Sequence, residues 1–151
     1  MKYADITLPK LETLFEKFNK EYFNGELQKP NFRIKTNKRQ LGCCEVKHTV
    51  TNPYVNVTIV ISNYYNVPSK DLEETMLHEM IHYMEYVKHK KMTHTKTFKE
   101  KADEINKLSK HRYNISRTTS RNGFELSNEG MIREQRAKAK KERIQILTVR
   151  V

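Results

Sequence analysis

No run of apolar residues in this 151-residue chain approaches the ~18 needed to span a bilayer, so no membrane-spanning helix is expected. Cysteine is scarce as well. Cys43 and Cys44 are the only two, and they are neighbours. A disulfide between adjacent residues is strained and closes no useful loop. Two adjacent thiols also cannot furnish the paired CxxC of a zinc ribbon. They read as small strand residues in a reducing compartment. Glycine and proline number four each, with no Pro/Gly-rich linker and no internal repeat, which points to one domain with a real core. The opening MKYADITLPKLE has no apolar stretch of about 7–15 residues behind its lysine, so no secretory signal is expected and a cytoplasmic location is.

Acidic charge is the other thing in short supply, and unevenly so. Lys and Arg outnumber Asp and Glu 29 to 18, for a net charge of +11. Residues 1–70 hold 11 basic and 6 acidic side chains, residues 71–110 hold 8 of each, and residues 111–151 hold 10 against 4. A neutral centre flanked by basic segments suits a reaction site beside a surface that attracts polyanions.

What is present falls into a mixed pattern. Leu11, Leu14, Phe15, Phe18 and Tyr22 recur at helical spacing, after a capping Thr7 and Pro9 and before the terminating Gly25. FRIKT (32–36) and LGCCEV (41–46) read as short strands. YVNVTIVIS alternates Val55, Val57, Ile59 and Ile61 with polar residues, the signature of a half-buried strand. Ser69 is placed to cap a long helix reaching about Lys88, with Asp71, Glu73 and Glu74 near its positive end. A further helix is predicted from about His94 to Leu108, a strand over RYNISRTT, an Asn-Gly hairpin turn in RNGFEL, and a strand in the closing IQILTVRV after the helix-prone REQRAKAKKER.

The long helix contains LHEMIHYM, an HExxH motif. Histidines at i and i+4 lie about 40° apart around a helix and one turn along it, so His78 and His82 can reach one ion. Leu72, Met76, Leu77, Met80, Ile81, Met84 and Val87 fall in one broad arc on the other side, and Glu79 lies on the border between the two. The apolar arc can dock on a sheet while the imidazoles face an open cleft, as a catalytic metal requires. Glu79, beside a ligand, suits the general base, and Tyr83 and Tyr113 are candidates to stabilise an oxyanion. Two imidazoles hold zinc poorly, so a third ligand is sought among His48, His89, His94 and His111. His89 shares the face of His78 and His82 but sits about 10 Å beyond His82 along the axis, out of reach of the same ion. A chain reversal in KHKKMT would swing His94 back over the first pair, with His111 the next candidate.

LFEKFNKEYFNGEL, LGCCEVK, LEETMLHEMIHYMEYV and HTKTF, in that order, resemble the SprT-like zincin family over about residues 7–120. The most specific matches are ETMLHEMIH and the downstream HxxxF of His94 and Phe98. The resemblance implies an α+β, zincin-like fold, a small twisted sheet packed with helices and HExxH on the central helix. It also implies one Zn2+ per chain on His78, His82 and His94, with Glu79 as base. The family includes Spartan-type proteases that degrade proteins crosslinked to DNA, so a metalloendopeptidase of proteins on DNA is the implied function. Tyr83 and Thr95 stand where the family commonly has a small residue and a glycine, and both are expected to narrow the cleft. A metallopeptidase domain is expected over residues 1–125 and a basic extension over 126–151. In the extension Arg133, Arg136, Lys138, Lys140, Lys141 and Arg143 are candidate phosphate contacts. The strand at 55–61 is expected to pair with extended substrate. Two competing readings are a nucleic-acid-binding module with a structural or vestigial zinc site, and a metallopeptidase with no nucleic-acid role.

Overall fold

The computed structural model describes residues 2–49, 52–116 and 123–149. It is an α+β fold with the order α1 (Leu8–Tyr22), β1 (Asn31–Lys35), β2 (Gly42–Thr49), β3 (Asn52–Ser62), α2 (Ser69–His89), α3 (Lys96–Leu108) and α4 (Asn128–Val149). Thr7 caps α1 by accepting from the Lys10 N–H, and Leu11, Leu14, Phe15 and Phe18 form its buried stripe. Just past the end of α1, Gly25 at φ +69° donates its N–H to the Asn19 carbonyl at 2.8 Å, a left-handed turn that a side chain would oppose.

The three strands are ordered β1-β3-β2, with β1 parallel and β2 antiparallel to β3. Period-two alternation turns Val57, Ile59 and Ile61 into the core, joined by Phe32, Ile34, Cys44 and Val46 from the flanking strands. The longest and most apolar strand is therefore the middle one. This corrects its predicted role as a substrate-pairing edge, because β2 runs along one side of it and β1 occupies the other from Thr58 to Ser62. Its alternation announced burial, and a central position follows from that; the outer edges belong to β1 and β2. Cys43 and Cys44 are free thiols on β2, and burial pushes Cys44 up to about 12.

Helix α2 is the spine, touching α1, α3, β2 and β3. Its apolar residues Leu72, Met76, Leu77, Met80 and Ile81 are all fully buried. Ser69 is its first residue rather than its cap. Pro68 holds the cap position without a side-chain bond, and its carbonyl accepts from Asp71 and Leu72. At the other end Lys90 closes α2 in the left-handed conformation. Helix α3 starts at Lys96, with Thr95 as its cap and His94 just outside it.

Residues 112–116 are not a strand. The Asn106 side chain accepts from the Ile115 N–H at 2.8 Å and donates to its carbonyl at 3.1 Å, taking the bonds a ladder would have used. The rest of RYNISRTT and the Arg121–Asn122 part of the expected hairpin turn lie outside the described residues. Chain closure continues through Leu126, which bridges to Tyr65, and Ser127, whose hydroxyl lies against the Tyr64 carbonyl. The closing IQILTVRV continues α4 to Val149 instead of forming a strand. All three strands lie far upstream, and the strong helix formers of REQRAKAKKER propagate the helix already started at Asn128. Among the described residues no helix is long and apolar enough to cross a membrane.

Candidate metal centre

One helical turn of α2 supplies His78 and His82, and the reversal between α2 and α3 supplies His94. The three form a cluster whose ligand atoms all lie within 4.8 Å of one another, so together they could hold a metal ion. Their ring centroids are 4.8, 5.3 and 4.5 Å apart, and Phe98 stands 4.8–4.9 Å from each of the three rings. Phe98 is buried on the first turn of α3, so that helix fixes the floor of the cluster. Two facing Nε2 atoms, of His78 and His94, are 3.4 Å apart. Ligands about 2.0–2.1 Å from one tetrahedral ion would be separated by roughly that much, so the donor set fits a single ion.

The outward nitrogens are anchored. His78 Nδ1 faces the Ser116 carbonyl at 3.0 Å, and His82 Nδ1 faces Glu85 Oε1 at 2.7 Å. Each anchor needs a proton on Nδ1, which leaves the Nε2 lone pair for a metal. Burial, then the neighbouring His82 and His94, push His78 down to about 4, and burial foremost lowers His82. Both therefore stand neutral near pH 7, the form that binds metal.

Glu79 lies on the same stretch of α2 and is buried, and burial alone raises its carboxyl to about 8. Strand β2 passes so close that a Cβ on Gly42 would lie 3.0 Å from Glu79 Oε2 and 2.8 Å from Thr75 Cγ2. Gly42 is thus where backbone must approach a side chain, and only glycine leaves room.

Of the other histidines, His89 is exposed and bonded to Thr97 at 2.8 Å, and His111 is exposed in a turn. The side chain of His48 lies outside the described residues. Tyr113 packs edge-on against Phe18 in the core, and Tyr83 is buried in the same core cluster. Thr95 directs its hydroxyl to Glu85 Oε2 at 2.7 Å. Sequence reasoning does not single out Glu85. Its one available signal is the i+3 spacing from His82, which any helical glutamate can share by chance. Burial would raise its carboxyl, but the bonds from Thr95 and His82 outweigh burial and hold it below its ordinary value.

The six basic candidates of the extension, Arg133, Arg136, Lys138, Lys140, Lys141 and Arg143, are all exposed on α4. Arg133, Arg136 and Lys140 line a surface groove of about 520 Å³ with Thr36 and Ile132. That groove contains none of the three histidines, so the basic surface and the histidine cluster are separate features of the molecule.

A helical pair of histidines and a third from the following turn thus form, in an α+β domain, a cluster that could hold a metal ion. The SprT-like family model matches residues 11–120, and the chain belongs to that family. No curated protein matches the sequence.

Proposed function

We propose that this chain is a zinc-dependent endopeptidase of zincin type, with His78, His82 and His94 as ligands and Glu79 as general base. The convergence of three imidazoles, with a buried carboxyl on the residue next to His78, carries this reading. A site needed only for structure has no use for such a base. Zinc, when bound, would polarise the scissile carbonyl and acidify the attacking water. The raised affinity of Glu79 for a proton suits it to take one from that water on a carboxylate oxygen and pass it to the leaving amine. Gly42 lets β2 pass against Glu79, and the outer edge of β2 is unpaired among the described residues. An extended protein segment could pair there by backbone hydrogen bonds. The family's link to proteins bound or crosslinked to DNA extends to this chain through α4, whose exposed basic residues would contact phosphates.

The deciding experiment is cleavage of a DNA-binding substrate protein, with and without single- and double-stranded DNA, by wild type and Glu79→Gln. Gln is nearly isosteric but cannot accept the proton. The variant should retain its zinc and lose cleavage by about two orders of magnitude or more. Wild-type cleavage by Glu79→Gln would remove Glu79 from the mechanism.

A further inference from the structure

We propose that Glu85 is a positioning residue whose single carboxylate locks His82 and the His94 segment to each other. The inference rests on the metal-centre reading above. Glu85 follows His82 by three residues on α2 and is completely buried. Its Oε1 accepts from His82 Nδ1 at 2.7 Å. Its Oε2 accepts from both the Thr95 N–H, at 2.8 Å, and the Thr95 hydroxyl, at 2.7 Å. Thr95 is bonded directly to His94, and His94 sits at φ +54°, a left-handed conformation that residues other than glycine adopt infrequently.

The two oxygens therefore do different things. One selects the His82 tautomer and aims its Nε2 lone pair. The other ties the start of α3 to α2 and so sets where the third imidazole sits. From Lys90 to Thr95 the chain is exposed or at most half-buried, and the Glu85 carboxylate bonds the end of this segment to α2. Among the described residues no Lys or Arg pairs with Glu85; the imidazole it meets is the neutral His82. Three hydrogen bonds satisfy this carboxylate in place of a cationic side chain. Its negative charge on the far side of the His82 ring would add to the basicity of that ligand and favour a divalent cation.

Glutamine tests both functions at once. Its amide has one acceptor oxygen and one NH2, so it can accept from His82 Nδ1–H or from the Thr95 N–H but not both; the NH2 then either faces the Thr95 N–H or forces the His82 proton onto Nε2, the atom a metal would need. Zn2+ affinity, measured on the full chain against a chromophoric chelator, should fall about 10–100-fold in Glu85→Gln. The visible spectrum of the Co2+-loaded variant should shift, because the ligand geometry has changed. A thermal melt of the metal-free protein separates these effects from loss of fold. Thr95→Val, lacking only the hydroxyl, should lose part of the affinity, and Thr95→Ser should regain it. In wild type, 15N spectra of the metal-free histidines should show His82 protonated on Nδ1.

Unchanged Zn2+ affinity and Co2+ spectrum in a folded Glu85→Gln would overturn the proposal. So would an Nε2-protonated His82 in wild type. Should Glu85→Gln fail to fold, the Thr95 pair and the wild-type tautomer still decide: Thr95→Val binding zinc as wild type does would overturn it. Metal uptake is read without substrate, so these outcomes do not depend on peptidase activity. A wild type that takes up no zinc would remove the metal centre and this inference together, whatever Glu85→Gln does.

Discussion

Glu79 shows how far a single buried carboxyl shapes this protein. Its folded pKa of about 8 lies above its ordinary 4.5. Below pH 4.5 folded and unfolded chains are both protonated there, and the group costs the fold nothing. As pH rises from 4.5 through 8 the unfolded chain loses the proton first, and the metal-free fold loses stability. Glu79→Gln should abolish that loss. Metal-free Glu79→Gln should be more stable than wild type at pH 8, by on the order of a few kcal/mol, and the gap should shrink towards pH 4.5. His78, lowered to about 4, works in the opposite sense and weakens the fold as pH falls from 6.5, but it does so equally in both proteins and cancels in the difference. Urea melts at several pH values check this, and a gap independent of pH would contradict it. For the ligands, elemental analysis should find that His94→Ala loses zinc while His89→Ala keeps it, since His89 is engaged with Thr97 instead.

At the scale of elements, the decisive contact is between β2 and α2. The added Cβ in Gly42→Ala meets Glu79 and Thr75 at distances real Cβ atoms hardly tolerate. The Glu79 carboxylate is the softer of the two neighbours and should move. A shift of about 1 Å at a reacting group can cost ~100-fold in rate, so Gly42→Ala should cut cleavage by roughly 10–100-fold. Zinc content should stay the same, because the side chains nearest Gly42 are those of Thr75 and Glu79 and not the three histidines. A variant that loses zinc and activity together would show that β2 supports the ligands rather than the base.

The whole molecule is electrostatically lopsided, with its acidic residues matched by basic ones around the histidines and outnumbered elsewhere. Helix α4 meets the body near its start, where Ser127 and Gly130 abut Tyr64 and Tyr64 donates a hydrogen bond to Glu134. Lys138, Lys140 and Lys141 lie beyond that junction and are exposed. Reversing all three to Glu should leave the melting temperature and zinc content near wild type. DNA affinity should fall, and the log–log salt slope should flatten by about 0.7–0.9 for each phosphate no longer neutralised. Titration of a fluorescent oligonucleotide at two salt concentrations, beside a thermal melt, measures both. No binding by wild type at ~50 mM salt would leave a peptidase without a nucleic-acid partner.

Much of this arrangement is written in local sequence. Helical spacing of Leu11, Leu14, Phe15 and Phe18, alternation through Val57, Ile59 and Ile61, and the i, i+4 pair of His78 and His82 are short-range patterns, and each survives into the fold. The family match over residues 11–120 agrees with the resemblance carried by ETMLHEMIH and HxxxF. Other features depend on partners far away in the chain. IQILTVRV has strand-like composition, yet the helix begun at Asn128 runs on through it to Val149. Which strand is central, and therefore which edge lies beside Glu79, was decided by pairing across the sheet. His94 joins His78 and His82 through a reversal in which it takes φ +54° and the next residue, Thr95, bonds Glu85, a partner that only its i+3 spacing from His82 hints at in the sequence. Periodicity records which face of an element is buried, because burial acts residue by residue. It does not record what that face is buried against, and the metal centre is made of such contacts.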